Sequence, residues 1–240
     1  MPSEKKIHEK LNQALAARKL PPSDKRLYAE TFVYSLIVLA VIVAYYFVTR
    51  PEYDMRTFNR GIADLSFLLM GISLILSSVC YFWNFADHFI IYRKHLGLIG
   101  FGYMLLHVII SLFYTTYQPF LLYYLKDSQI LSFSAALTAT GIFTLMAVIS
   151  NRFSIQKIGP HRWRLIMRIG YIAYAMALLH FALRGWPYWM LWLSGKSTSL
   201  FPSFGLLVFA FGCLVLLMRV VLFAATFRKK YRFFIRHCYL

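Results

Sequence analysis

Six apolar blocks, at 31–49, 62–84, 96–118, 131–150, 164–184 and 204–226, alternate with short charged stretches along the 240-residue chain. Each is close to the ~20 residues that cross ~30 Å of hydrocarbon at about 1.5 Å of rise per residue. Backbone N–H and C=O groups find no water in lipid, so such blocks must be helical. The pattern predicts an all-α membrane protein, a bundle of six transmembrane helices, multi-pass in the cell (inner) membrane and in contact with lipid. The hydrophobic share is 60%, above the ~45–50% of soluble domains. The excess is laid out in blocks rather than in one larger core, and a single helical domain uses the whole length.

Lysines and arginines set the orientation. Nineteen flank one side of the blocks: Lys5, Lys6, Lys10, Arg18, Lys19, Lys25 and Arg26; Arg93 and Lys94; Arg152, Lys157, Arg162, Arg164 and Arg168; and Arg228, Lys229, Lys230, Arg232 and Arg236. Six flank the other: Arg50, Arg56, Arg60, Lys126, Arg184 and Lys196. Both termini are therefore expected in the cytoplasm. The net charge of +17 is explained by this topology, and no nucleic-acid partner is expected.

Three segments follow: 1–29, a cytoplasmic amphipathic segment; 30–227, the six-helix domain; and 228–240, a basic cytoplasmic tail. The first has Ile7, Leu11 and Leu15 at four-residue intervals among lysines, which suits an anionic leaflet, and Pro21-Pro22 ends it. It lacks the apolar core of a signal peptide. The aromatic run at 186–193 is too short to span and is expected at the outer interface or as a lid. Cys80, Cys213 and Cys238 are scattered without a CxxC, which argues against a disulfide framework, an iron–sulfur site or c-type haem attachment.

Of seven histidines, only His107 and His180 lie deep in apolar blocks, where a polar group needs a reason. From Lys94 to His107 is ~20 Å of rise, and from Arg168 to His180 ~18 Å. Both blocks run the same way, so the imidazoles reach nearly one level. On the same helical faces lie Met104, Gly100 and Gly97 before His107, and Ala177, Ala173 and Gly170 before His180. Two readings stay open. The small residues, Gly100 and Ala173 above all, form a flat wall beside a macrocycle whose iron the histidines ligate, or they let helices approach while each histidine bonds a neighbour. Zinc is disfavoured, because no third or fourth ligand appears at that depth.

Tyr92-Arg-Lys-His-Leu-Gly-Leu98, followed by His107, resembles the Arg-Arg-x-Leu-Gly-Leu…Leu-His stretch of the ferric reductase-like transmembrane superfamily. Gly159-Pro-His-Arg-Trp-Arg-Leu-Ile-Met-Arg168, with Tyr171 and Leu179-His180, resembles a second stretch of one branch. That branch comprises the haem-binding subunits of periplasmic methionine sulfoxide reductase systems (MsrQ/YedZ type). The resemblance spans 60–185. It implies a six-helix domain holding haem b, with His107 and His180 as ligands to the haem iron. It also implies an electron-transport role, from a cytoplasmic or quinol donor to an acceptor on the outer side. The ferric reductase-like oxidoreductase subunit so implied would lack its own flavin or NAD(P)H domain. A redox partner protein or quinol would then supply its electrons.

The departures concern a second, inner cofactor. Met167 stands where the branch has a first histidine on the fifth helix, and His95 lies close to where larger members have one on the third. On ideal helices these two are turned ~120–140° from the outer ligands. One haem is therefore expected; a second haem, a flavin or a quinone beside Arg168 is the alternative. Arg219 sits ~13 Å into the last block, either pairing with a propionate or quinone oxygen or snorkelling inward. Asp64 reads as an outer interfacial cap. Two other functions fit the composition: a small transporter or channel, or a cofactor-free assembly subunit.

Overall fold

The computed structural model describes residues 23–49, 54–113, 127–197 and 201–238, without the side chains of 127, 128 and 228–238. Among them the order is α1 (Asp24–Thr49), α2 (Met55–Phe82), a 3-10 segment (Asn84–Tyr92), α3 (Arg93–Phe113), α4 (Asp127–Ile149), α5 (Arg152–Ile158), α6 (Pro160–Arg168), α7 (Gly170–Leu193) and α8 (Phe204–Cys238). Six stretches are long and apolar enough to cross a membrane: α1, α2, the 3-10 segment with α3, α4 from Gln129, α6 with α7, and α8 to Phe227. The chain is a multi-pass membrane protein, as the six blocks predict. The amphipathic pattern at 1–22 and the Pro21-Pro22 stop lie outside the described residues.

Local chemistry sets the helix limits. Asp54 Oδ1 accepts the Thr57 amide at 2.8 Å and starts α2, satisfying one of the donors every helix start leaves open. Asn151 does the same for α5 through the Ser154 amide, at 2.8 Å. Gly159, at φ 87°, ends α5 in a conformation that side chains disfavour, and Pro160 then opens α6.

Three limits differ from the sequence expectation. α1 begins at Asp24, inside the segment read as amphipathic. α8 runs unbroken into the basic tail. The aromatic run at 186–193 is not separate from the preceding span: it continues α7 through Pro187 to Leu193, with Trp186 and Tyr188 exposed. Trp189 is buried there, with its ring 5.9 Å from Phe181 and 4.9 Å from Phe209 of α8. An aromatic anchor between two helices looks the same in sequence as an interfacial one.

α2 is the central helix. Half of its apolar window is buried, against 11–22% for the other five, whose remaining surface faces outward. α1, α3, α7 and α8 all pack on α2, while α4 packs on α7 and more lightly on α3. In lipid such packing is driven by close van der Waals contact rather than by water exclusion, so small residues matter at the seams. A Cβ at Gly100 would lie 2.9 Å from Met70 Cγ and 3.1 Å from the Met70 backbone nitrogen. Ser66 Oγ donates to the Gly100 carbonyl at 2.9 Å across the same contact. Ala173 is fully buried among Phe67, Leu74 and Tyr174. Both small residues thus let helices meet, and overpacking such a seam costs about 1–3 kcal/mol.

Asp64 is not an interfacial cap. It is fully buried on α2 and accepts the Tyr46 hydroxyl of α1 at 2.5 Å. The apolar residues Ile42, Ile62 and Leu65 surround this pair, so the carboxyl belongs to the α1–α2 interface.

Candidate functional site

α3 and α7, which carry His107 and His180, make no extensive contact with each other. α2 lies beside both, and so does α4. The two histidines are tied to opposite members of that pair. His107 Nδ1 lies 3.2 Å from the Asn59 carbonyl and 3.0 Å from Asn59 Oδ1, on α2. His180 Nδ1 lies 2.9 Å from the Ser132 carbonyl and 3.0 Å from Ser132 Oγ, on α4.

These contacts fix the tautomers. A carbonyl oxygen can only accept, so Nδ1 must carry the proton in each ring. Each neutral imidazole therefore keeps its lone pair on Nε2. Neither Nε2 has a hydrogen-bond partner among the described residues. An Nδ1–H bound to a carbonyl is the arrangement that orients a metal-ligating histidine and raises its basicity.

The two rings lie within electrostatic reach of one another. Arg184 acts on both. It stands one turn beyond His180 on α7 and donates from Nη1 to Gln129 Oε1 at 2.7 Å. Gln129 lies one turn before Ser132 on α4, so the α4–α7 seam is pinned at two successive levels. On the α2 side, Asn59 Nδ2 donates to Ser111 Oγ of α3 at 2.8 Å, which holds the amide with its oxygen toward His107.

Among the described residues, no group of three or more His, Cys, Asp or Glu is placed to hold a metal ion. Two imidazole donors alone do not complete a protein-only tetrahedral site, whereas an iron whose other four positions are filled by a macrocycle needs only two. No family model matches the chain. A curated relative does. The protein-methionine-sulfoxide reductase heme-binding subunit MsrQ of Agrobacterium fabrum (strain C58) is 28% identical over 208 residues, covering 78% of this chain and 84% of that protein.

The inner candidates are placed differently. His95 is buried at the start of α3, its Nδ1 3.2 Å from the Ile91 carbonyl and its ring edge-on to Tyr28 of α1 at 4.4 Å. Its Nε2 faces Asp24 Oδ1 at 4.0 Å. Met167 is half-buried and Arg168 exposed at the end of α6. α6 packs on α5 and α7 and makes no extensive contact with α3. Arg219 of α8 is half-buried, with its guanidinium carbon 4.4 Å from the centre of the Tyr171 ring. The Tyr171 hydroxyl donates to the Leu74 carbonyl at 2.9 Å. A cation–π contact of ~0.5–2 kcal/mol is a partner that neither sequence reading of Arg219 includes.

Sequence reasoning also missed Asn59 and Arg184. Asn59 precedes the second apolar block, but the Asp54 cap begins α2 at Met55 and carries Asn59 into the bundle. The spacing of four between His180 and Arg184 was the available signal for the other.

Proposed function

We propose that this chain is a membrane electron-transfer subunit that holds one b-type haem, with His107 and His180 as its two axial ligands. The observation that carries this reading is the pair of imidazoles whose Nδ1–H groups are taken by backbone carbonyls and whose Nε2 lone pairs have no hydrogen-bond partner among the described residues. Their helices stand apart with α2 and α4 alongside. The Agrobacterium relative, by name a heme-binding subunit of a protein-methionine-sulfoxide reductase, agrees with it.

Haem in this position supplies a one-electron couple, and the protein supplies ligation, orientation and a dry surrounding. The Asn59 and Ser132 carbonyls hold each ring in its ligating tautomer. Asn59 is itself held by Ser111. Phe67 and Tyr174, stacked with centroids 4.3 Å apart, close the α2–α7 seam to water. Electrons enter from a quinol or a cytoplasmic flavoprotein and leave to an acceptor on the Lys/Arg-poor side, where the site lies by sequence depth. By sequence depth only His107 and His180 share a level, and His95 is turned to Tyr28 and Asp24, so the stoichiometry in this reading is a single haem per chain. The carrier reading is favoured over a transporter because two imidazoles in the bundle are each held in one tautomer by a neighbouring helix, through Asn59 and Ser132.

The test is a reduced-minus-oxidised visible spectrum of the purified chain, produced with haem supply. A b-type α band with a low-spin Soret band is the expected result. Folded protein without haem absorption sinks the reading.

A further inference from the structure

Arg184 has one described hydrogen-bond partner, and that partner is neutral. Its Nη1 donates to Gln129 Oε1, which uses one of the five N–H donors a guanidinium carries. No carboxylate pairs with it among the described residues. It projects from the same face of α7 as His180, one turn further along, at a spacing that makes the two side chains neighbours. It also reaches His107 electrostatically, although that ring belongs to another helix. A permanent cation therefore stands one turn from His180, with no carboxylate partner among the described residues.

The ligand proposed for these imidazoles supplies the missing charge. A haem carries two propionate carboxylates, and planar guanidinium donors match carboxylate oxygens in charge-assisted, frequently paired hydrogen bonds. We propose that Arg184 binds a propionate carboxylate of the haem held between His107 and His180, fixing its rotation in the site and raising its reduction potential. This rests on the haem reading above. Gln129 holds one N–H of the guanidinium at the α4–α7 seam, one turn from Ser132, and the other donors have no hydrogen-bond partner among the described residues. The potential rises because the reduced haem carries one less positive charge than the oxidised form, and a nearby cation favours the more negative state. Arg60, at the same end of the bundle, has its guanidinium carbon 5.6 Å from the Tyr188 ring centre and is already engaged.

The experiment uses the full chain in detergent micelles, with wild type, Arg184→Ala, Arg184→Gln and Arg184→Lys compared by visible spectrum, redox titration and resonance Raman spectroscopy. The low-spin spectrum is expected to persist in all four, because the axial ligands are untouched. The propionate bending band should move in Arg184→Ala and Arg184→Gln. At a fixed poise their reduced-to-oxidised ratio should fall about tenfold, equivalent to about 59 mV for one electron. Arg184→Lys should recover most of the potential, because it keeps the charge. If Arg184→Ala does not accumulate, Arg184→Gln and Arg184→Lys carry the comparison. An unmoved bending band together with an unmoved potential in the neutral variants overturns the assignment and leaves the haem reading standing. A wild-type protein without haem overturns both.

Discussion

Replacing His107 or His180 with alanine is expected to abolish the low-spin haem spectrum of the purified chain. An iron bound by two imidazoles loses an axial ligand when either is removed, and nothing nearby can replace it. The residues around His107 Nδ1 are an amide and a backbone carbonyl on Asn59, and those around His180 are the hydroxyl and carbonyl of Ser132. None is a strong ligand for haem iron. Each substitution also leaves a backbone carbonyl of α2 or α4 without its side-chain donor, though that carbonyl keeps its place in its own helix. The bundle should therefore fold, and the losses should appear in absorbance rather than in yield. His95→Ala and Met167→Ala are the comparison, because neither residue is near the pair; both should keep the wild-type spectrum. Retention of that spectrum in both His107→Ala and His180→Ala would show that other groups hold the cofactor.

A reporter fused after Leu240 is expected to be active only when its enzyme works in the cytoplasm. The argument is the distribution of 19 lysines and arginines on one side of the spans against six on the other, a bias that retains the richer side inside. The six spans of the structure are even in number, so a fusion before the first span should behave the same way. The 49–55 connection between α1 and α2 should report the opposite side. The effect is all-or-none, because a reporter that needs export is inactive if retained. Activity of a Leu240 fusion on the outer side alone would reverse the bundle and put the histidine pair nearer the cytoplasm.

Much of this arrangement was legible in the sequence, for reasons that differ from residue to residue. The spans were legible because lipid permits only helices for such blocks, and length alone then fixes their number. The common level of His107 and His180 followed from counting rise from Lys94 and Arg168. Other features depend on which neighbour a side chain meets, and a single sequence does not contain that. Gly100 and Ala173 could equally line a macrocycle or seat a helix, and the sequence alone does not say that Met70 lies against Gly100 or Phe67 near Ala173. Asp64 stood one turn from Arg60 and read as an interfacial cap, yet Tyr46, distant in the chain, draws it into the interior. Asn59 fell outside an apolar window drawn from hydropathy, because the cap at Asp54 lengthens the helix through a stretch that carries Arg56, Asn59 and Arg60. The run at 186–193 was set apart as too short to span, because the fifth apolar block was drawn to end at 184; α7 continues through Pro187 to Leu193.

The central claim is a single haem ligated by His107 and His180, and the most direct measurement is haem per chain. Pyridine haemochrome absorbance and quantitative amino-acid analysis are taken on one sample of purified wild-type protein. Two ligands at one level, with His95 turned to Tyr28 and Asp24, predict a ratio of one. A ratio near two that falls to one in Met167→Ala would contradict the account and place a second, His/Met-ligated haem at the inner end.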